Sequence, residues 1–93
     1  MQSNQLNNPT QDQPETQTTE PTFDWQPVYS SHINAAAYNR ELRELRVSFN
    51  DGAVWAYHDV DYEIFETLMG AESAGRYMHL VVKPVYGPGQ RLS

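Results

Sequence analysis

The sequence contains no cysteine. That absence excludes a disulfide framework, a thiolate-ligated metal and a cysteine nucleophile, and it makes a reducing compartment the default expectation. There is also no run of about 18 apolar residues, the length a membrane span requires. Residues 1–22 have neither the basic start nor the apolar middle of a secretion signal, so an unexported, cytoplasmic protein is expected. Basic residues are scarce: 6 Lys and Arg stand against 12 Asp and Glu, for a formal charge of -6 over 93 residues. That balance counts against general nucleic-acid binding, whose affinity rests on cations releasing counterions from phosphates.

The apolar side chains are unevenly placed. Every Phe, Trp and Tyr lies from Phe23 onward, whereas residues 1–22 offer only Met1 and Leu6 as sizeable apolar groups among Gln, Asn, Thr and Pro. Such a segment cannot offset its own ordering entropy. It is read as a disordered polar tail, residues 1–22, preceding one folded domain over residues 23–93. The tail holds Asp12, Glu15 and Glu20 with no base, and therefore half of the net charge. A body of this size buries about 60% of the surface its unfolded chain exposes, so its core needs large side chains.

Ile33 to Asn39 suits a strand, and Asn39-Arg40-Glu41 a turn. In Leu45-Arg46-Val47-Ser48-Phe49 apolar and polar residues alternate strictly, the period of a half-buried strand. Asn50-Asp51-Gly52 ends it, and Ala53 to Tyr57 returns as its hairpin partner. A two-residue turn at Asp51-Gly52 would point Trp55 and Tyr57 outward. A three-residue loop with Gly52 left-handed sets Val47 against Trp55 and Leu45 against Tyr57, and gathers the large apolar groups on one face. The second arrangement is expected, with Trp55 and Tyr57 mostly buried and Val54 more exposed.

Asp59-Val60-Asp61 has the acids and capping Asp of a helix start, and Val60, Ile64, Phe65, Leu68 and Met69 recur at helical spacing until Gly70. Ser73 can cap a second helix from about Ala74 to Val82, with Tyr77, Leu80 and Val81 on its buried face and Pro84 stopping it. The expected fold is α+β: a three-stranded antiparallel meander followed by two helices packed on one face.

Ser30-Ser31-His32-Ile33, the Tyr38-Asn39 pair, Leu45-x-Val47-x-Phe49-x-x-Gly52-x-x-Trp55-x-Tyr57-x-x-Val60 and Ser73-x-Gly75-x-Tyr77 together resemble the KTSC domain over roughly Val28 to Tyr86. That family is named after the C-terminus of lysine tRNA synthetase and also occurs as stand-alone bacterial or phage proteins; a phage origin would place the protein in the host cytoplasm. The family's central Tyr-x-Tyr is Trp55-Ala56-Tyr57 here, its Val-Pro before the first helix is Val60-Asp61, and its Tyr-Phe-Asn is Tyr77-Met78-His79. The resemblance implies a binding domain and, through the synthetase, RNA as the leading named partner.

The residues themselves carry little catalytic signal. His32, His58 and His79 fall in different elements and form no His-x-x-x-His pair, so separate surface or capping histidines are the simpler reading, and neither a metal nor another cofactor is expected. Ser30, Ser31 and His32 lack a third group to orient a base. The protein is accordingly expected not to be an enzyme. Ser73-Ala74-Gly75-Arg76 is the most suggestive polar segment: a capped helix start, a glycine permitting close approach and an arginine can hold an anion. The candidate ligand-binding set is Ser73, Gly75, Arg76, Tyr77, His79 and Lys83, set against an ordinary Ser cap with a surface arginine. Arg43 and Arg46 can pair with Glu41 and Glu44 as a solvated strand edge. Trp55, Tyr57 and Tyr77 can stack on bases only where their edges open into a pocket between sheet and helix; otherwise they are core. Alternatives to RNA are a small anionic, nucleotide-like ligand, which a negative surface tolerates, and a protein-interaction adaptor using a strand edge or the tail. The composition is equally compatible with a homo-oligomer.

Overall fold

The computed structural model describes residues 21–93, and the expected tail lies outside them except for Pro21 and Thr22. Five antiparallel strands form one sheet in chain order: β1 (Gln26–Pro27), β2 (Ile33–Asn39), β3 (Glu44–Phe49), β4 (Val54–Tyr57) and β5 (Gln90–Arg91). Helix α1 (Tyr62–Gly70) and a second helical rod over residues 74–86 lie between β4 and β5 in the chain. The expected meander is therefore the middle of the sheet. Both outer strands are two residues long, too short to show a period of two in sequence.

The β3–β4 hairpin has the three-residue loop. The Phe49 N–H donates to the Ala53 carbonyl at 2.9 Å, and Gly52, at φ 94°, takes the left-handed conformation the loop demands. Leu45 consequently faces Tyr57, and Val47 faces Trp55. Leu45, Val47 and Tyr57 are fully buried with Ile33, Val60, Leu68, Met78 and Val82. Trp55 is only half-buried, and Ala56, on the opposite face, is fully buried. Strand β2 joins the same core through a bulge between Ile33 and Ala35, which changes the phase so that Ile33 and Ala36 share a face despite their odd spacing.

The first turn is longer than expected, running through Arg40 to Arg43, and Asn39 organises it. Its Oδ1 accepts from Leu42 N at 2.8 Å, while its Nδ2 donates to the Thr22 carbonyl. Arg43 sits at φ 54° because its surroundings hold it there: its carbonyl accepts from Val60 N at 2.8 Å and its guanidinium pairs with Asp61. Asp61 occupies the N-cap position of α1 without making a side-chain cap bond, its carboxylate being engaged by Arg43. That pairing raises the Arg43 pKa above its ordinary value. Over α1, the Tyr38 hydroxyl donates to the Val60 carbonyl at 2.6 Å, and its ring stacks on Phe65 at 5.7 Å.

The second helix departs most from expectation. It runs as α2 (Ala74–Tyr77), a π turn (Met78–Val82) and α3 (Lys83–Tyr86), so Pro84 does not stop it. In the wide turn Lys83 N donates to the Met78 carbonyl, five residues back, which frees the rod from the i−4 geometry that a proline ring obstructs. Its buried row is Ala74, Met78 and Val82, whereas Leu80 is 56% exposed and Tyr77 and Val81 are half-buried. Apolar residues at 78, 80, 81 and 82 supply two competing faces, and the sheet takes the one the sequence pattern did not favour. Among the described residues no helix is long and apolar enough to cross a membrane.

Candidate functional site

Five of the six basic residues divide between two environments; the sixth, Arg91 on β5, lies 6.0 Å from the Trp55 ring centre and donates through Nε to the Ser93 carbonyl. At the edge of the sheet where the central strand β3 begins, Arg43 pairs with Asp61 rather than with the expected Glu41, Arg46 Nε lies 2.6 Å from Glu44 Oε2, and Arg40 covers the Tyr62 ring at 3.9 Å. Arg46 also lies 3.9 Å over Phe23, and His58 Nδ1 stands 3.4 Å from the other Glu44 oxygen. This edge is closed upon itself. By contrast Arg76 and Lys83 form no ion pair among the described residues. Both line the space between the second helix and the sheet.

That space is an open groove with two connected halves. Its larger half, about 680 Å³, is bounded by the β3–β4 loop and by Phe49, Trp55, Tyr57, Lys83 and Pro88. Ser73, Gly75, Arg76, His79 and Lys83 bound the other half, with Met78 at its base. Ser31, His32, Phe49 and Lys83 belong to both halves and join them. Lys83 Nζ stands 5.8 Å from the Phe49 ring centre, a cation over an aromatic face at the junction.

Local structure explains why these side chains converge. The Ser30 hydroxyl accepts from His32 N and Ile33 N, fixing the loop ahead of β2, and Asn50 ties the hairpin tip to it through Asn50 N to the His32 carbonyl at 2.9 Å. The His32 ring lies directly on the helix at Gly75, where an added Cβ would come within 3.1 Å of His32 Cδ2. Gly75 thus serves close packing of His32. The π turn acts along the same helix. In an α-helix a row spaced by four residues drifts about 40° per step, and the wider turn reduces the drift, keeping Gly75, His79 and Lys83 along one wall.

Of the six candidates, Ser73, Gly75, Arg76, His79 and Lys83 line the groove together. Tyr77 does not. It lines a separate depression with Ala71, Glu72, Leu80 and Val81, although Ser73 and Arg76 border both. Ser73 is an N-cap whose Oγ accepts from Arg76 N at 3.3 Å. Trp55 and Tyr57 border the space between sheet and helix, the condition under which their edges open into a pocket, and the residues that sequence reasoning did not place here are Ser31, His32 and Phe49. Nothing in the pattern signals Phe49 as a groove wall, since an alternating strand assigns it to the core. The three histidines separate: His32 and His79 reach the groove, and His58 bonds Gln90 on the far side at 3.0 Å. No group of three or more His, Asp or Glu placed to hold a metal occurs among the described residues.

Comparison with known proteins agrees with this architecture. The KTSC domain matches residues 29–86. A protein of Tsukamurella paurometabola is 44% identical over 59 residues, covering 63% of this chain and 88% of that protein. A protein of Stutzerimonas stutzeri is 36% identical over 57 residues, covering 61% and 80%. The crystal structure of a KTSC domain protein from Yersinia pestis superposes with a TM-score of 0.66 at 29% identity, covering 77% of this chain and 97% of that one. The chain belongs to the KTSC domain family.

Proposed function

We propose that this KTSC domain is a non-enzymatic binding module whose groove takes a small anionic, ring-bearing ligand of the nucleotide type. The carrying observation is the junction itself: the Lys83 ammonium stands over Phe49 where an aromatic half meets a half bearing Arg76 and His79. An aromatic floor offers a planar ring a stacking surface, and two cations without ion-pair partners among the described residues favour phosphate. A space of about 680 Å³ lies within the usual range for small-ligand sites. A short ligand also avoids the overall charge of -6, because it meets only the local field of the groove.

RNA remains the alternative that the family resemblance favours, and the groove's openness at both halves is compatible with a strand passing through. Salt separates the two. With ATP as one probe and a six-nucleotide uridine RNA as the other, RNA affinity should fall with added salt at a slope of roughly −0.7 per phosphate contacted, and ATP should show the shallower dependence. The proposal expects ATP to bind and to shift NMR signals of His32, Phe49 and Lys83. Lys83→Ala and Arg76→Ala should each weaken it by roughly five- to ten-fold without lowering the unfolding midpoint, the loss of one charge-assisted contact. Tighter, salt-steep RNA binding would transfer the site to RNA. Shifts confined to other surfaces would remove the groove from the account.

A further inference from the structure

We propose that the Tyr57 hydroxyl reads the ring edge of the bound ligand, so that the groove selects a nucleotide by its base, with the base at the Trp55–Tyr57 end and the phosphates at the Arg76–Lys83 end. The inference rests on the binding reading above and gives it a polarity. Tyr57 is 1% exposed and is one of the residues bounding the aromatic half of the groove. Its hydroxyl makes no hydrogen bond among the described residues. Tyr38 provides the contrast: it is less buried, yet its hydroxyl donates to a carbonyl at 2.6 Å. A buried polar group without a partner is rare in folded proteins and calls for a physical reason.

The surrounding backbone holds that hydroxyl in place. Gly89, at φ 87°, brings the chain so close that an added Cβ would stand 2.7 Å from Tyr57 Cε1 and 2.9 Å from Cζ, the carbon bearing the oxygen. Leu45 pairs across from Tyr57 in β3, so the ring is held by sheet and chain together. The phenol, whose ordinary value of 10.0 already keeps the proton at neutral pH and which burial pushes higher still, is a donor there. The walls nearby are Phe49, Trp55 and Pro88, and the one acid of this half, Asp51, has its Oδ1 engaged by the Ala53 N–H at 2.9 Å. A fixed donor in an apolar recess suits the in-plane acceptor of a heteroaromatic ring stacked in that recess. His32 and Lys83, common to both halves, lie where a sugar would join the ring to its phosphates. A site of this kind discriminates strongly against a ligand that leaves the donor unmatched.

The decisive measurement is calorimetric binding of the four ribonucleoside triphosphates and of inorganic triphosphate to the full chain and to Tyr57→Phe. The full chain should bind at least one nucleotide about ten-fold more tightly than triphosphate, and the variant should lose most of that preference, by about ten-fold, while its triphosphate affinity stays unchanged. Lys83→Ala should weaken both classes of probe. Retention of the base preference in Tyr57→Phe, or nucleotides bound more tightly than triphosphate but without discrimination among the bases, would overturn the inference and leave the binding reading intact; triphosphate bound as tightly as every nucleotide would overturn both, since the binding reading requires a stacked ring. If neither nucleotide nor triphosphate binds, both fall. A Tyr57→Phe protein that unfolds would make the hydroxyl a structural group, which also overturns the inference.

Discussion

The polar edge around Glu44 and the groove beside the second helix each carry four cationic or titratable nitrogenous side chains, Arg40, Arg43, Arg46 and His58 in the first and His32, Arg76, His79 and Lys83 in the second, yet one is saturated and the other is not. Arg46 and His58 close on Glu44, Arg43 on Asp61, and Arg40 on Tyr62. Arg76 and Lys83 have no such partners among the described residues, and the Tyr57 hydroxyl is likewise unmatched. Polar groups that satisfy one another contribute to stability, whereas unsatisfied ones at a concavity contribute little to it and are available to a ligand. The comparison therefore predicts that substitutions on the edge disturb folding and substitutions in the groove disturb binding.

The edge should show the largest effect at Glu44, which is 8% exposed. Glu44→Ala leaves Arg46 half-buried with only the Phe23 ring beside it and should cost about 2–3 kcal/mol, because breaking a buried pair strands the remaining charge. Urea unfolding measures this, and a loss below about 0.5 kcal/mol would place the pair among ordinary surface ion pairs. Next in size is Tyr38→Phe. It removes the donor to the Val60 carbonyl while leaving the rings of Tyr62 and Phe65 in contact. A cost of about 1–2 kcal/mol is expected for the unpartnered carbonyl, again from urea unfolding.

The two regions also differed in how far the sequence revealed them. Strict alternation from Leu45 to Phe49, with a loop glycine at 52, determined the central hairpin and its register, since only one loop length put Trp55 and Tyr57 on the apolar face. The recurrence of Ile64, Phe65, Leu68 and Met69 located α1, although the helix begins only at Tyr62 and the expected start at Asp59-Val60 lies ahead of it, with Asp59 at φ 58°. Residues 74–86 offered two apolar stripes, and which one is buried depends on a π turn that no hydropathy period encodes. Five of the six candidate residues nevertheless fell together, since a spacing of four follows one wall of the helix and the wide turn reduces its drift. Tyr77 did not, and His32 and Phe49 entered from a loop and a strand far away in sequence. The outer strands β1 and β5 are held by two residue pairs each, which leaves no local pattern to read.

Pro84 is the test of that π turn. Pro84→Ala restores the missing N–H, and the rod should relax toward α geometry with a stability change within about 1 kcal/mol. Lys83 should then rotate away from Phe49, and the ring-current shift on its side-chain protons should diminish. An unchanged Lys83 spectrum would mean that packing of Ala74, Met78 and Val82, rather than the proline, maintains the wide turn.

The smallest effect at neutral pH is expected for Tyr57→Phe, and it sharpens the comparison because Tyr38 and Tyr57 undergo the same change of one oxygen. Tyr57 gives up no hydrogen bond within the described protein, so the variant should match the parent within about 0.5 kcal/mol or exceed it slightly, as an unpaired buried hydroxyl is removed. Alkaline conditions then separate them. Burial raises the Tyr57 pKa above the ordinary 10.0 it regains on unfolding. Below pH 10 both states keep the proton and no penalty arises; as pH rises past 10 the unfolded chain releases it first, and stability falls until the folded value is passed. Tyr57→Phe abolishes that contribution, so its stability should decline less steeply than the parent's above pH 10, with the two curves coinciding below it. Parallel curves through the alkaline range would show that the Tyr57 hydroxyl is already matched to a proton acceptor or to solvent, and would remove the contrast between groove and edge at its most buried point.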